Sequence, residues 1–110
     1  MGDIINWSGS VPFATKGERA LDDVAMERER QEQRKREGRF DYTCADPEMN
    51  HYERLSVLVE EVGEVAREVL TNDEKRIARD TIGTDEALYK ELAQVAAVAV
   101  AWMESMLGDG

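Results

Sequence analysis

Between His51 and Leu70 the apolar residues recur three or four positions apart. Leu55, Leu58, Val62, Val65 and Val69 form one stripe, and this period predicts an amphipathic helix. Asn50 and Glu53 have the spacing of a capping box; Asp46-Pro47 is the other candidate start. Gly63 sits inside the helix at a cost of about 1 kcal/mol relative to Ala, and a glycine there lets a backbone or ligand come close. Asn72-Asp73 marks its expected end. Glu74 to Asp80 reads as a short charged helix and Thr81 to Thr84 as a turn.

Thr84 is the expected N-cap of a last helix over 85–107, with Asp85 and Glu86 in its first turn and Gly108 ending it. From Leu92 to Met103 this helix is apolar at every position except Gln94. A helix without a polar face must be buried all round. Two or three other short helices cannot wrap it. The pattern therefore predicts a helical bundle completed by oligomerisation, a homodimer or homotetramer.

The N-terminal half is more polar. Residues 15–37 have strong helix propensity, with a short seam at Ala20, Leu21, Val24 and Ala25, and Gly38 is the expected terminator. Residues 38–50 read as a loop. Residues 1–14, with Gly2, Gly9 and Pro12, read as an irregular arm that Trp7 and Phe13 pin down. The expected organisation is that arm followed by a single all-α domain over 15–110.

Composition narrows the function. A chain of 110 residues, 42% hydrophobic and 35% charged, suits one folded domain with a modest core. A net charge of −10 argues against binding a nucleic acid polymer. It does not argue against a phosphate substrate, because clustered carboxylates hold Mg²⁺ and the metal receives the phosphate. The longest apolar run, Val95 to Met103, is nine residues, about half of the ~18 that span a bilayer, so no membrane association is expected. The N-terminus lacks a basic region followed by an apolar one. Cys44 is the single cysteine, so no intrachain disulfide forms, and a cytoplasmic location is expected. In a loop without a neighbouring Cys or His, Cys44 is a poor candidate nucleophile. His51, with Glu48, supplies one Glu-x-x-His where a di-iron bundle uses two.

Candidate chemistry lies in the glutamates. Glu60, Glu61 and Glu64 fall within an arc of roughly 100° on one helix. The plain alternative is a solvated face, but three clustered carboxylates repel one another, and only Arg54 and Arg67 intersperse this helix. Glu91 and Gln94 lie one turn apart on the last helix, and a buried glutamine needs partners or a ligand. If the two long helices pack antiparallel, four carboxylates and an amide oxygen converge. That donor set suits Mg²⁺ or Mn²⁺.

These residues carry a family resemblance. Glu60-Glu61-Val62-Gly63-Glu64 in the context LVEEVGEVAR, the stretch ELAQVAAVAVAW from Glu91 to Trp102, and ERERQ from Glu27 to Gln31 are similar to the MazG-like all-α nucleoside triphosphate pyrophosphohydrolases. The similarity covers roughly residues 25–105. It implies hydrolysis of an NTP or dNTP to the monophosphate and pyrophosphate. Glu60, Glu61, Glu64 and Glu91 would then be catalytic metal ligands, holding Mg²⁺ or Mn²⁺ and a metal-activated water. Where the family pattern has Asp this chain has Gln94, which offers a metal a neutral carbonyl oxygen instead of a charge. Lys35, Arg36 and Arg39 are candidate phosphate contacts, and Phe40 or Tyr42 a candidate base-stacking surface. The alternative is a non-catalytic helical oligomer of the same fold that binds a nucleotide or a partner protein.

Overall fold

A computed structural model of the chain describes residues 14–78 and 83–108, with side chains described for 14–71 and 85–108. The expected arm over 1–14 lies almost wholly outside the described residues, as do Thr81 and Ile82 of the expected turn. Three helices follow one another: α1 (Lys16–Arg36), α2 (His51–Ala78) and α3 (Gly83–Met106). No strand occurs among the described residues, so the architecture is all-α.

Local chemistry sets the helix ends. Thr15 and Glu18 close a capping box at the start of α1, the Glu18 N–H donating to Thr15 Oγ1 (3.1 Å) and the Thr15 N–H to Glu18 Oε1 (2.8 Å). Gly38, at φ +81°, ends it. The Gly38 N–H donates to the Lys35 carbonyl and the Arg39 N–H to the Arg34 carbonyl, a Schellman motif that Gly enters without a Cβ clash. Asn50 and Glu53 form the second capping box, so α2 starts there and not at Asp46-Pro47.

The C-terminal end of α2 differs from expectation. The helix continues through Asn72-Asp73 to Ala78, absorbing residues 74–78 of the short helix expected over 74–80; residues 79 and 80 lie outside the described residues. Asn and Asp disfavour a helix interior by only a few tenths of a kcal/mol, far less than Pro. Helix α3 begins at Gly83, which puts Thr84 inside its first turn.

Helix α3 is central. It packs against both α1 and α2, which make no backbone contact with each other among the described residues. Helices α2 and α3 run antiparallel: the Trp102 indole N–H donates to His51 Nδ1 (2.9 Å) at one end, and Gln94 meets Glu61 two turns further along. The core is small. Cys44, Val98 and Ala101 are buried, and Met49, Val57, Leu58 and Trp102 pack around them. Arg28, itself buried, joins α1 to the end of α3 by two hydrogen bonds to Glu104 (2.8 and 3.0 Å), and pairs with Glu32 at 2.6 Å.

The apolar stripes turn out to be double. On α2, Val57, Leu58 and Val65 are half-buried toward α3, whereas Leu55, Val59 and Val62 lie on another face, 49–59% exposed. At 100° per residue these three share an arc of roughly 60° with Val69 and Leu70 beside them. On α3, Ala97, Val98 and Ala101 are buried while Leu92 and Met103 remain 50% and 63% exposed. One chain thus leaves an apolar side of α2 uncovered, together with Leu92 and Met103 on α3.

Candidate functional site

With α1 and α2 held apart on either side of α3, a cavity of about 350 Å³ opens between them. The loop over 39–50 closes one side of it. Arg54, buried at the start of α2, fastens this loop: Nε donates to the Cys44 carbonyl (2.8 Å) and Nη2 to the Asp46 carbonyl (2.7 Å). Asp46 in turn accepts from the Thr43 N–H (2.7 Å) and from Lys35, and Thr43 Oγ1 donates to Glu32 (2.9 Å). So fixed, the loop presents Phe40 and Tyr42 to the cavity. Met49 and Val57 add apolar wall, and Glu60, Glu61 and Gln94 line the polar part.

The contact between EEVGE and the last helix is made by Gln94. Oriented as its neighbours require, with the amide nitrogen toward the acceptors, Gln94 Nε2 lies 3.2 Å from Glu61 Oε2 and 3.3 Å from Glu91 Oε2. The three side chains form a chain across the α2–α3 interface. Burial, and then the charges of Glu91, Glu60, Glu64 and Glu27, push the Glu61 carboxyl above its ordinary value. Burial, and then Glu64, Glu68 and Glu27, do the same to Glu91. Donation from Gln94 stabilises the charged forms and offsets part of this strain.

Each expected ligand can now be placed. Glu61, Gln94 and Glu91 are brought together. Glu60 lines the same cavity from an exposed position. Glu64 is exposed and acts on Glu61 and Glu91 through its charge. The five do not close around one point: among the described residues no three Asp, Glu, His or Cys side chains are grouped as a metal site. Gln94 is a hydrogen-bond donor between two carboxylates here, not an oxygen turned toward their common centre. The donor chemistry nonetheless suits a divalent cation. Its carboxylates offer oxygen ligands, burial and then like charge hold Glu61 and Glu91 above their ordinary pKa, and the nearby Arg30 and Arg34 are paired with Glu27.

The candidate phosphate contacts lie elsewhere. Lys35 pairs with Asp46, Arg36 with Glu29 (2.9 Å) and Arg39 with Glu37 (3.6 Å), and none lines the cavity. Instead α1 contributes Glu27, which is buried, together with Gln31 and Arg34. Glu27 accepts from Arg30 (2.6 Å) and Arg34 (3.5 Å). The signal was present, since 27, 30/31 and 34 recur at helical spacing, but the surrounding charge run reads as a solvated face. Cys44 is buried, and burial raises its thiol pKa, which makes it an inert core residue. His51 is exposed against Trp102 at the first residue of α2, nearly three helical turns before Glu61.

No family model, curated protein or solved structure matches the chain.

Proposed function

We propose that this chain is a metal-dependent nucleoside triphosphate pyrophosphohydrolase of the MazG-like type. The observation that carries this is the placement of Glu60 beside Glu61, the latter tied through Gln94 to Glu91, in the wall of a cavity whose other side is the Phe40–Tyr42 loop. A volume near 350 Å³ with an apolar wall and a few polar groups suits a base and sugar. Glu60, Glu61 and Glu91, with Glu64 beside them, would hold the metal, Mg²⁺ or Mn²⁺. When bound, it neutralises phosphate oxygens and lowers the pKa of a coordinated water. The aromatic loop side chains offer a stacking face, and Gln94 keeps Glu61 and Glu91 within reach of one another.

In the same proposal the exposed faces of α2 and α3 pair with a second copy, completing the bundle as a homodimer or homotetramer. Exposed Leu55, Val59 and Val62, with Leu92 and Met103, support this. No helix among the described residues is long and apolar enough to cross a membrane, and one buried thiol suits a reducing cytoplasm. A second reading, a nucleotide- or partner-binding oligomer without catalysis, is favoured by one observation: Gln94 donates to both Glu61 and Glu91, a link across the α2–α3 interface that can serve structure by itself.

The deciding experiment is product analysis across NTPs and dNTPs with Mg²⁺, Mn²⁺ or EDTA. Metal-dependent formation of monophosphate and pyrophosphate supports the hydrolase. Orthophosphate as the primary product, or no turnover, refutes it.

A further inference from the structure

The outer face of α2 carries a periodicity of its own. Tyr52, Leu55, Val59, Val62, Ala66 and Val69 follow one another at alternating spacings of three and four, the a and d positions of a heptad repeat. All six are exposed, Tyr52 at 83% and Val59 at 59%. Helix α3 does not cover this seam, because it is met by the neighbouring face that holds Val57 and Leu58. Between Tyr52 and Leu70, an arc of roughly 180° centred on the seam carries no charged residue. Gly63 flanks the seam. A glycine inside a helix is costly, yet a Cβ added at Gly63 meets no atom within 4 Å, and Gly63 lines neither of the two main cavities. Nothing among the described residues accounts for it, and a helix approaching closely from outside does.

Resting on the pairing of exposed faces proposed above, we infer that this face packs antiparallel against α2 of a second copy, about a two-fold axis passing between Glu60 and Glu61. Run against itself in that direction, the seam is self-complementary. Tyr52 opposes the second copy's Val69, Leu55 its Ala66 and Val59 its Val62, and all three layers are centred on the same point. The two largest side chains then meet smaller ones. A parallel pair instead sets Tyr52 against Tyr52 and leaves two Ala66 side by side, a gap in the seam. Antiparallel helix dipoles also attract where parallel ones repel. Judged from residue size and exposure, the seam with Leu70 offers on the order of 700 Å² per copy, close to the ~800 Å² per partner of a standard interface. Glu60, Glu61 and Glu64 lie more than about 120° round the helix from the seam centre, so this pairing leaves the candidate site open.

The test is cross-linking of the folded full-length chain with oxidised glutathione, beside sedimentation of wild type. Tyr52→Cys with Val69→Cys puts two thiols roughly 25 Å apart on one helix, too far to join within a chain. Both positions are exposed, so the variants keep the fold, and the native Cys44 is buried and stays unreactive. The double variant should yield at least about tenfold more covalent dimer than either single variant. Single variants that cross-link as readily as the double overturn the antiparallel register and leave the paired faces standing. A wild-type dimer whose double variant does not cross-link also overturns the inference and places the interface elsewhere. A monomeric wild type removes the inference and the pairing together. Gly63→Ala is the second variant. It should weaken the dimer at least about fivefold on dilution while raising the melting temperature of the dilute monomer. An unchanged or tighter dimer overturns the close approach at Gly63.

Discussion

Gln94→Asp puts a carboxylate where an amide now joins two others. The wild-type amide donates to Glu61 and Glu91 at 3.2 and 3.3 Å, so those two oxygens are at most 6.5 Å apart. Hydrogen bonds to charged groups contribute about 1.5–3 kcal/mol each, and partial exposure puts these at the low end or below. The new charge adds repulsion of about 3 kcal/mol per pair at ~5 Å with an effective dielectric near 20, which solvent screening reduces to about 1. Without metal at pH 8 the variant should therefore lose about 3 kcal/mol, a fall in Tm of more than about 10 °C. The sign with pH is fixed by the direction of the shifts. Glu61 and Glu91 have raised folded-state pKa values, so their protonated forms favour the fold below the ordinary 4.5, and that contribution is lost as pH rises through the folded-state values. A third carboxylate enlarges this loss, so the deficit should be smaller at pH 5 than at pH 8. Mg²⁺ at a hundredfold excess over its Kd should return about 2.7 kcal/mol. Circular dichroism melts at both pH values, with EDTA and with Mg²⁺, measure all of this. A deficit equal at pH 5 and pH 8 and indifferent to Mg²⁺ would refute the placement of Gln94 between the carboxylates.

Arg54→Met should cost about 2–3 kcal/mol in urea denaturation, because two loop carbonyls lose a buried guanidinium partner; a loss under ~0.5 kcal/mol would mean the loop is held by other contacts. The same variant should slow turnover through the loosened Phe40–Tyr42 wall. Val59→Lys with Met103→Lys places two charges on the exposed apolar faces, and sedimentation should then report the 12.4 kDa monomer where wild type sediments as a dimer or larger. A monomeric wild type would contradict the paired-face assignment.

Helix identity was legible because three independent signals agreed: the three-to-four spacing over 55–69, the Asn50–Glu53 box, and Gly38 after a charged helix. The end of α2 was not, because Asn72 and Asp73 weaken a helix without breaking it. Which apolar residues are buried was legible only in part. Periodicity places Leu55 and Leu58 in one broad stripe, yet only Leu58 faces α3 within the chain. At the candidate site, the meeting of Glu61, Glu91 and Gln94 was legible only on the condition that the two long helices pack antiparallel, which spacing along each helix does not decide. Glu27, Arg30 and Arg34 were not, since nothing in a local charge pattern says that α1 crosses α3 beside Gln94. Lys35, Arg36 and Arg39 have the same composition and sit a turn away, paired to Asp46, Glu29 and Glu37.

The most direct measurement is Mn²⁺ binding, by electron paramagnetic resonance, to folded wild type and to Glu61→Gln, with pyrophosphate release followed in the same samples. Wild type should bind Mn²⁺ and release pyrophosphate from an NTP or dNTP, and Glu61→Gln should weaken the metal at least tenfold and abolish release. Equal Mn²⁺ affinity in the two proteins, or none in either, would contradict a metal centre built on Glu60, Glu61 and Glu91.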